Sequence, residues 1–303
     1  MTTASRTRET TDREDIAGRL LKSSAKASYD PLVEIDWDSP VDPDRYALKP
    51  ERVSLYGTEL WERLTEEQRK ELSRQEVASI ASIGIWFETI LMQMLVRHAY
   101  DRDPTSNHIK YAYTEIADEC RHSVMFAKMI SKLDAPFYNL DTVAHLLGKM
   151  FKATSNGPLT FSGALFVEEI LDQIQRETMV DENLEPLVRA VSQIHVVEEA
   201  RHMRYAREEL VRDWQHRGPL VKAYSRLMLG AVVYYSATRL INPKVYAKVG
   251  LDPREARRVA RRNPHHIDTK TWAARKVVAT MNEAGMIKGP GKLLWRAAGL
   301  LGR

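Results

Sequence analysis

Apolar residues recur along this chain at the period of a helix face rather than of a strand. From Thr65 onward Val77, Ile80, Ile83, Phe87, Ile90, Leu91 and Met94 follow one another at three- and four-residue steps, which places them on one side of a helix. Thr65, with Gln68 three residues later, carries the signature of a capping box, and no proline interrupts the segment as far as about His98. A second helix is predicted from about Thr105 to just before Pro136, a third from Pro158 to about Met179, and a fourth from about Glu185 to Trp214. A further helix is expected at about 220 to 240, with shorter ones after Pro253 and Asp268. Four long helices joined by loops, with no strand-rich region and no internal repeat, predict an all-α bundle.

The flanks read differently. Residues 1 to about 15 are polar and charged, the composition of a disordered tail. Pro31, Pro40, Pro43 and Pro50 punctuate the stretch from Tyr29 to Tyr56, which suits an extended segment draped over a helical body. The expected organisation is therefore a tail at 1–15, an arm at 16–64 packed on the bundle, the bundle at 65–250, and a basic helical extension at 251–303. Within 289–303, Leu294, Trp295, Ala298 and Leu301 form one helical stripe. That stripe suits docking on the body or across a dimer interface, in preference to peripheral contact with an anionic membrane.

Composition narrows the function classes. At 303 residues the chain can bury a large core. A balance of 45 Lys+Arg against 41 Asp+Glu gives no reason to expect a nucleic-acid partner. The single cysteine, Cys120, excludes an intramolecular disulfide and the thiolate sets of iron–sulfur or structural zinc sites, and it fits a cytoplasmic location. No secretory leader is expected from MTTASRTRETTDRED, and the longest uncharged apolar stretch, Leu227 to Thr238, has 12 residues where a membrane span needs about 20.

The candidate chemistry lies on the four long helices. Glu119-Cys120-Arg121-His122 and Glu199-Ala200-Arg201-His202 each put a carboxylate and an imidazole on one helix face. Two Glu-x-x-His elements, with a glutamate from each remaining helix, form the ligand pattern of carboxylate-bridged dinuclear metal sites in ferritin-like bundles. Glu88 is the only charged residue from Val77 to Val96, so unless it faces solvent on a narrow polar stripe it must be neutralised, paired or metal-bound. The third helix offers Glu168 or Glu169. Glu168 is chosen because Ala164, Leu165 and Leu171 surround it at helical spacing, whereas Asp172, Gln173 and Arg176 surround Glu169. His195 precedes Glu199 by four residues and shares its face, as a third nitrogen donor or as a core histidine bonded to a carboxylate.

This constellation, Glu88, Glu119-x-x-His122, Glu168 and His195-x-x-x-Glu199-x-x-His202, resembles the p-aminobenzoate N-oxygenase family of di-iron enzymes. Its distinguishing mark is the extra histidine. The similarity extends through Ser54-Leu55-Tyr56-Gly57-Thr58 and Trp61 to Asn242-Pro243-Lys244-Val245-Tyr246. The resemblance implies a ferritin-like bundle with two iron ions, O2 activation and oxygen insertion into an arylamine. It implies Glu119 and Glu199 as bridging carboxylates, Glu88 and Glu168 as terminal ones, and His122, His195 and His202 as nitrogen donors. Manganese or a mixed Mn/Fe pair suits the same donors. No arginine stands on the helix face before Glu88 to receive an aromatic carboxylate, so either Arg176 or another distant cation does so, or the substrate is neutral and apolar. Ile80, Ile83, Phe87 and Leu165 are the candidate pocket residues, with plain core as their alternative role. The expected function is a di-iron monooxygenase acting on a small molecule with an external electron donor, in a homodimer. The alternative is a ferritin-like iron-handling protein without oxygenase activity.

Overall fold

The computed structural model describes residues 3–301, with side chains from Asp12 onward. In chain order the helices are α1 (Thr3–Lys26), α2 (Pro31–Glu34), α3 (Glu59–Arg63), α4 (Glu66–Tyr100), α5 (Asn107–Lys132), α6 (Thr142–Thr154) and α7 (Pro158–Val180). They continue with α8 (Pro186–Trp214), α9 (Pro219–Arg239), α10 (Lys244–Ala247), α11 (Pro253–Arg262), α12 (Pro264–Ala273), α13 (Arg275–Glu283) and α14 (Gly291–Ala297). Among the described residues no strand forms, and one isolated bridge joins Tyr46 to Leu184. The protein is an all-α, ferritin-like bundle.

The bundle proper is α4, α5, α7 and α8, with α4 packed on α5 and α7 on α8. Local sequence sets their ends. Thr65 and Gln68 close a reciprocal capping box at the start of α4, an arrangement that stabilises a helix by about 1 kcal/mol. Proline occupies the first turn of α7, α8 and α9, where its missing N–H costs no helical bond. By length and composition α4 could cross a membrane, yet more than half of its most apolar window is buried against the rest of the protein. Its apolarity serves the bundle's interior, into which it carries Glu88.

Two elements depart from the sequence reading. α1 begins at Thr3, where a disordered tail through about residue 15 is expected. Polar contacts dock it: Arg13 Nε donates to Glu209 Oε1 on α8 at 2.7 Å. Glu14 Oε2 accepts from Asn107 N at 2.5 Å, placing a carboxylate over the first turn of α5, whose own N-cap Ser106 makes no side-chain capping bond. The other departure is α6, a helix between Pro136 and Pro158 where none is expected. Gly148 lets it lie against α4, since a Cβ there would collide with the Trp86 ring.

The arm from Tyr29 to Tyr56 is largely non-helical, as its prolines predict, with α2 and a short 3-10 turn at Pro50–Arg52 as its regular pieces. At the other end α14 packs on α9, where Gly230 and Gly291 allow the backbones to meet. Trp295 is fully buried, edge-on to Phe166 with ring centroids 5.6 Å apart. Leu300 is buried as well, so the terminal stripe docks on the body. Met1, Thr2, Gly302 and Arg303, the outer ends of the expected tail and extension, lie outside the described residues.

Candidate metal centre

The four bundle helices bring the seven side chains singled out from the sequence to one place. Glu88 comes from α4, Glu119 and His122 from α5, Glu168 from α7, and His195, Glu199 and His202 from α8. None is more than 3% exposed. Their donor atoms fall into overlapping groups, each with members within 4.8 Å of one another: Glu88, His122 and His195; Glu119, Glu199 and His202; Glu168, His195 and Glu199; Glu88, Glu119 and Glu168. Glu119 and Glu199 occupy the middle. His122 Nδ1 lies 3.1 Å from Glu119 and 3.2 Å from Glu199, and His202 Nδ1 lies 3.1 Å and 3.0 Å from the same two. His195 Nε2 stands farther out, 3.6 Å from Glu88 and 3.7 Å from Glu199.

Glu169 is also buried but turns away from this cluster to pair with Arg207. One residue of register on α7 therefore separates a carboxylate that joins the cluster from one that meets an arginine.

The outer nitrogens are held too, by residues the sequence reading passed over. His122 Nε2 lies 2.8 Å from Glu198 Oε2, and His202 Nε2 lies 3.1 Å from Asp118 Oδ2. The exchange is reciprocal: the carboxylate preceding each Glu-x-x-His glutamate serves the histidine of the other helix. Arg121 pairs with Asp118, and Arg201 lies 3.7 Å from Glu198. The signal is visible in the paired strings Asp118-Glu119-Cys120-Arg121-His122 and Glu198-Glu199-Ala200-Arg201-His202, which share an acid before the glutamate and an arginine before the histidine. His195 has a different support. Its Nδ1 lies 2.9 Å from Gln175 Oε1, which fixes the proton there and leaves the Nε2 lone pair facing the cluster. Phe126 packs on the same ring at 5.0 Å. The arm reaches this shell as well, for Tyr29 N donates to Glu198 Oε1 at 3.1 Å and Arg121 Nη2 donates to Ser28 Oγ at 3.1 Å.

Four buried carboxylates in one place are electrostatically costly without cations. Burial, reinforced by Glu119 and Glu199, pushes Glu88 and Glu168 well above the usual carboxylate range. Burial also acts against ionisation of Glu119 and Glu199, but the facing histidines outweigh it and hold both below that range. His122 and His202 are raised against the opposing effect of burial by these carboxylates, whereas burial lowers His195 to about 4. The buried atoms Glu88 Oε2, Glu168 Oε2, Glu199 Oε2 and Nε2 of the neutral His195 have no hydrogen-bond partner. Such a donor set, oxygen-rich with three imidazoles and unsatisfied inward atoms, fits a pair of divalent cations of the iron or manganese kind.

An apolar cavity of about 70 Å³ opens beside Glu168. Ile83, Phe87, Leu91, Gly148, Phe151 and Val167 are among its lining residues, and α6 with α9 closes its far side. Of the four pocket residues expected from the sequence, Ile83 and Phe87 line it. Ile80 does not, because it faces a smaller cavity with Phe126 and Gln175 on the other side of α4. Leu165 is fully buried in the core and lines neither cavity, since helical geometry turns Ala164 and Val167 inward in its place. Arg176 is paired with Asp172 and does not reach the cavity either. The cation that does reach it is Arg239, whose Nε donates to Asp141 Oδ2 at 2.7 Å.

Comparison with known proteins agrees with this geometry. Uncharacterized proteins of Mycobacterium bovis and of two Mycobacterium tuberculosis strains are 28% identical to the chain over 204 residues, covering 65% of it. The chain spans about 60% of the length of those relatives. A family model described as p-aminobenzoate N-oxygenase AurF matches residues 10–285. That match takes in α4 through α12 and every residue of the buried cluster, and by it the chain belongs to the p-aminobenzoate N-oxygenase AurF family.

Proposed function

We propose that this protein is a non-haem di-iron monooxygenase whose substrate is a neutral, apolar small molecule rather than an aminobenzoate. The observation that carries the reading is the set of unpartnered donor atoms on Glu88, Glu168, His195 and Glu199, buried beside an apolar cavity. The central Glu119 and Glu199, with Glu88 and Glu168, would hold the metals through oxygen, and His122, His195 and His202 through nitrogen. Ferrous ions held there would supply the reduction of O2 that a monooxygenase needs, one oxygen atom going to the substrate and the other to water with two electrons and two protons from an external donor.

The protein's own groups orient and exclude. Asp118, Glu198 and Gln175 fix the orientation of the three imidazoles by engaging the ring nitrogen that faces away from the cluster. The apolar lining keeps bulk water from Glu168 and from a substrate beside it. With Arg239 engaged by Asp141 and Arg176 by Asp172, no described arginine beside the cavity is free to receive a carboxylate. Neutral arylamines and other apolar compounds therefore suit it better than benzoates. At about 70 Å³ the cavity is smaller than the roughly 150 Å³ that admits benzene. A ring-sized substrate must displace lining side chains, among them those of α6 on the surface side.

The test is anaerobic loading with ferrous iron, metal analysis, and exposure to O2 with neutral arylamines, the matching benzoates and apolar hydrocarbons. The reading expects two irons per chain and O2-dependent conversion of the neutral compounds. Uptake of many irons per chain without substrate turnover would instead mark an iron-handling protein.

A further inference from the structure

A second cavity, of about 180 Å³, lies where the C-terminal end of α9 meets α11, α12 and the end of α14. Unlike the apolar cavity it gathers cations. Arg257 and Arg261, one helical turn apart on α11, share its lining with His266 and Lys270 of α12, and no aspartate or glutamate does. Its remaining wall is mostly apolar, from residues such as Ala237, Leu240, Ile241 and Ile267, with Thr238 and Tyr246 beside them.

None of these four groups has an acidic partner within ion-pairing distance among the described residues, in contrast to Arg239 nearby with its Asp141. The described contact of Lys270 Nζ is the Ala298 carbonyl oxygen at 3.4 Å. His266 Nδ1 is buried with no hydrogen-bond partner. The mutual crowding is visible in their protonation. Burial and then Arg239 and Arg261 lower Arg257, burial and then Arg261 lower Lys270, and burial and then Lys270 lower His266 to about 3. Like charges brought together in a half-buried hollow repel, and a multiply charged anion would reverse the sign of every one of these contacts.

We propose that the convergence of Arg257, Arg261, His266 and Lys270 on this cavity forms a binding site for a phosphate group, separate from the metal centre. The arginine forks match phosphate oxygens in pairs, the lysine adds a point charge, and the neutral imidazole donates a proton to a hydrogen bond. A cavity of about 180 Å³ is several times the roughly 10–15 Å³ that a single water requires. That is room for a phosphate or diphosphate group, with any larger remainder projecting through the opening over the apolar wall. Arg254, Arg258 and Arg262, the other arginines of α11, do not line the cavity and belong to an ordinary solvated face.

The experiment is calorimetry and thermal shift on the full chain with inorganic phosphate, pyrophosphate and a nucleoside diphosphate, in matched chloride and sulfate controls. The variant is Arg257→Gln/Lys270→Gln, which removes repulsion and is expected to leave the ligand-free melting temperature equal or higher. Saturable binding of a phosphate compound, weakened about tenfold or more in the variant, is the expected result. Equal affinity for pyrophosphate and the nucleotide identifies the free anion as ligand, whereas tighter nucleotide binding identifies the phosphate end of a larger molecule. No saturable binding to the parent, or identical binding to parent and variant, overturns the proposal. The readout needs neither metal nor turnover, so it stands or falls apart from the oxygenase reading.

Discussion

Gln175 governs which nitrogen of His195 faces the carboxylates. With its amide oxygen 2.9 Å from Nδ1, the lone pair on Nε2 is left to the cluster. Gln175→Leu should therefore weaken iron binding about 10- to 100-fold while the melting temperature changes little, and titration with ferrous iron under anaerobic conditions measures it. His195→Ala should lower metal content or O2 reactivity in a protein that still folds, because one lost donor leaves six in place. Parent-like occupancy and turnover would return His195 to a structural role. On α7, Glu168→Ala should damage metal binding more than Glu169→Ala, whose loss strands Arg207 instead. The reverse order in metal analysis would show that Glu169 is the functional carboxylate. At this scale the inward residues are legible because spacings of three, four and seven decide which side chains share a helix face. The supports leave a trace in the two parallel strings, but pairing Asp118 with His202 and Glu198 with His122 requires knowing that α5 and α8 lie side by side.

Helices with their own periodicity and caps are legible as elements, and α4, α7, α8 and α9 begin and end within a few residues of the expected places. α1 is not, because its attachment rests on Arg13 and Glu14 meeting Glu209 and Asn107 far along the chain. α6 hides between prolines, and its Gly148 acquires meaning only against Trp86. A subtler element-level feature joins the arm to the bundle. Ser54 and Tyr246, from the two outlying segments that resemble the family, are 2.9 Å apart, and Ser54 donates from its N–H and hydroxyl to Glu76 of α4. Burial raises Glu76 to about 7 despite hydrogen bonds from Ser54. Between its ordinary value of 4.5 and about 7 the folded protein holds a proton that the unfolded chain releases, so this group's contribution to stability is full below that window and lost as pH rises through it. Glu76→Gln should gain on the parent, by on the order of 3 kcal/mol, between the acid and alkaline sides of that window. Urea denaturation of both proteins across this range measures the difference, and parallel curves would mean that Glu76 ionises as it does in water.

For the whole molecule, the C-terminal segment decides between closure of the fold and attachment to a surface. Its apolar stripe is legible in the sequence, but a stripe alone does not say what covers it. In the folded chain Trp295 covers Phe166, on the helix that carries Glu168, while Leu293 remains exposed. Removing a buried tryptophan side chain costs about 3–5 kcal/mol, so Trp295→Ala should lower the melting temperature by on the order of 10 °C in a chain of this size. Deleting residues 289–303 should do at least as much, because it also uncovers the face of α9 that Gly291 approaches. The same deletion should leave binding to anionic vesicles unchanged, since the segment's largest apolar side chain is spent inside the protein. Calorimetry and vesicle sedimentation on the truncated and full-length proteins separate the two roles. A truncated protein that keeps its melting temperature and loses vesicle binding would make the segment a membrane contact and Trp295 a residue that leaves its pocket to reach the lipid.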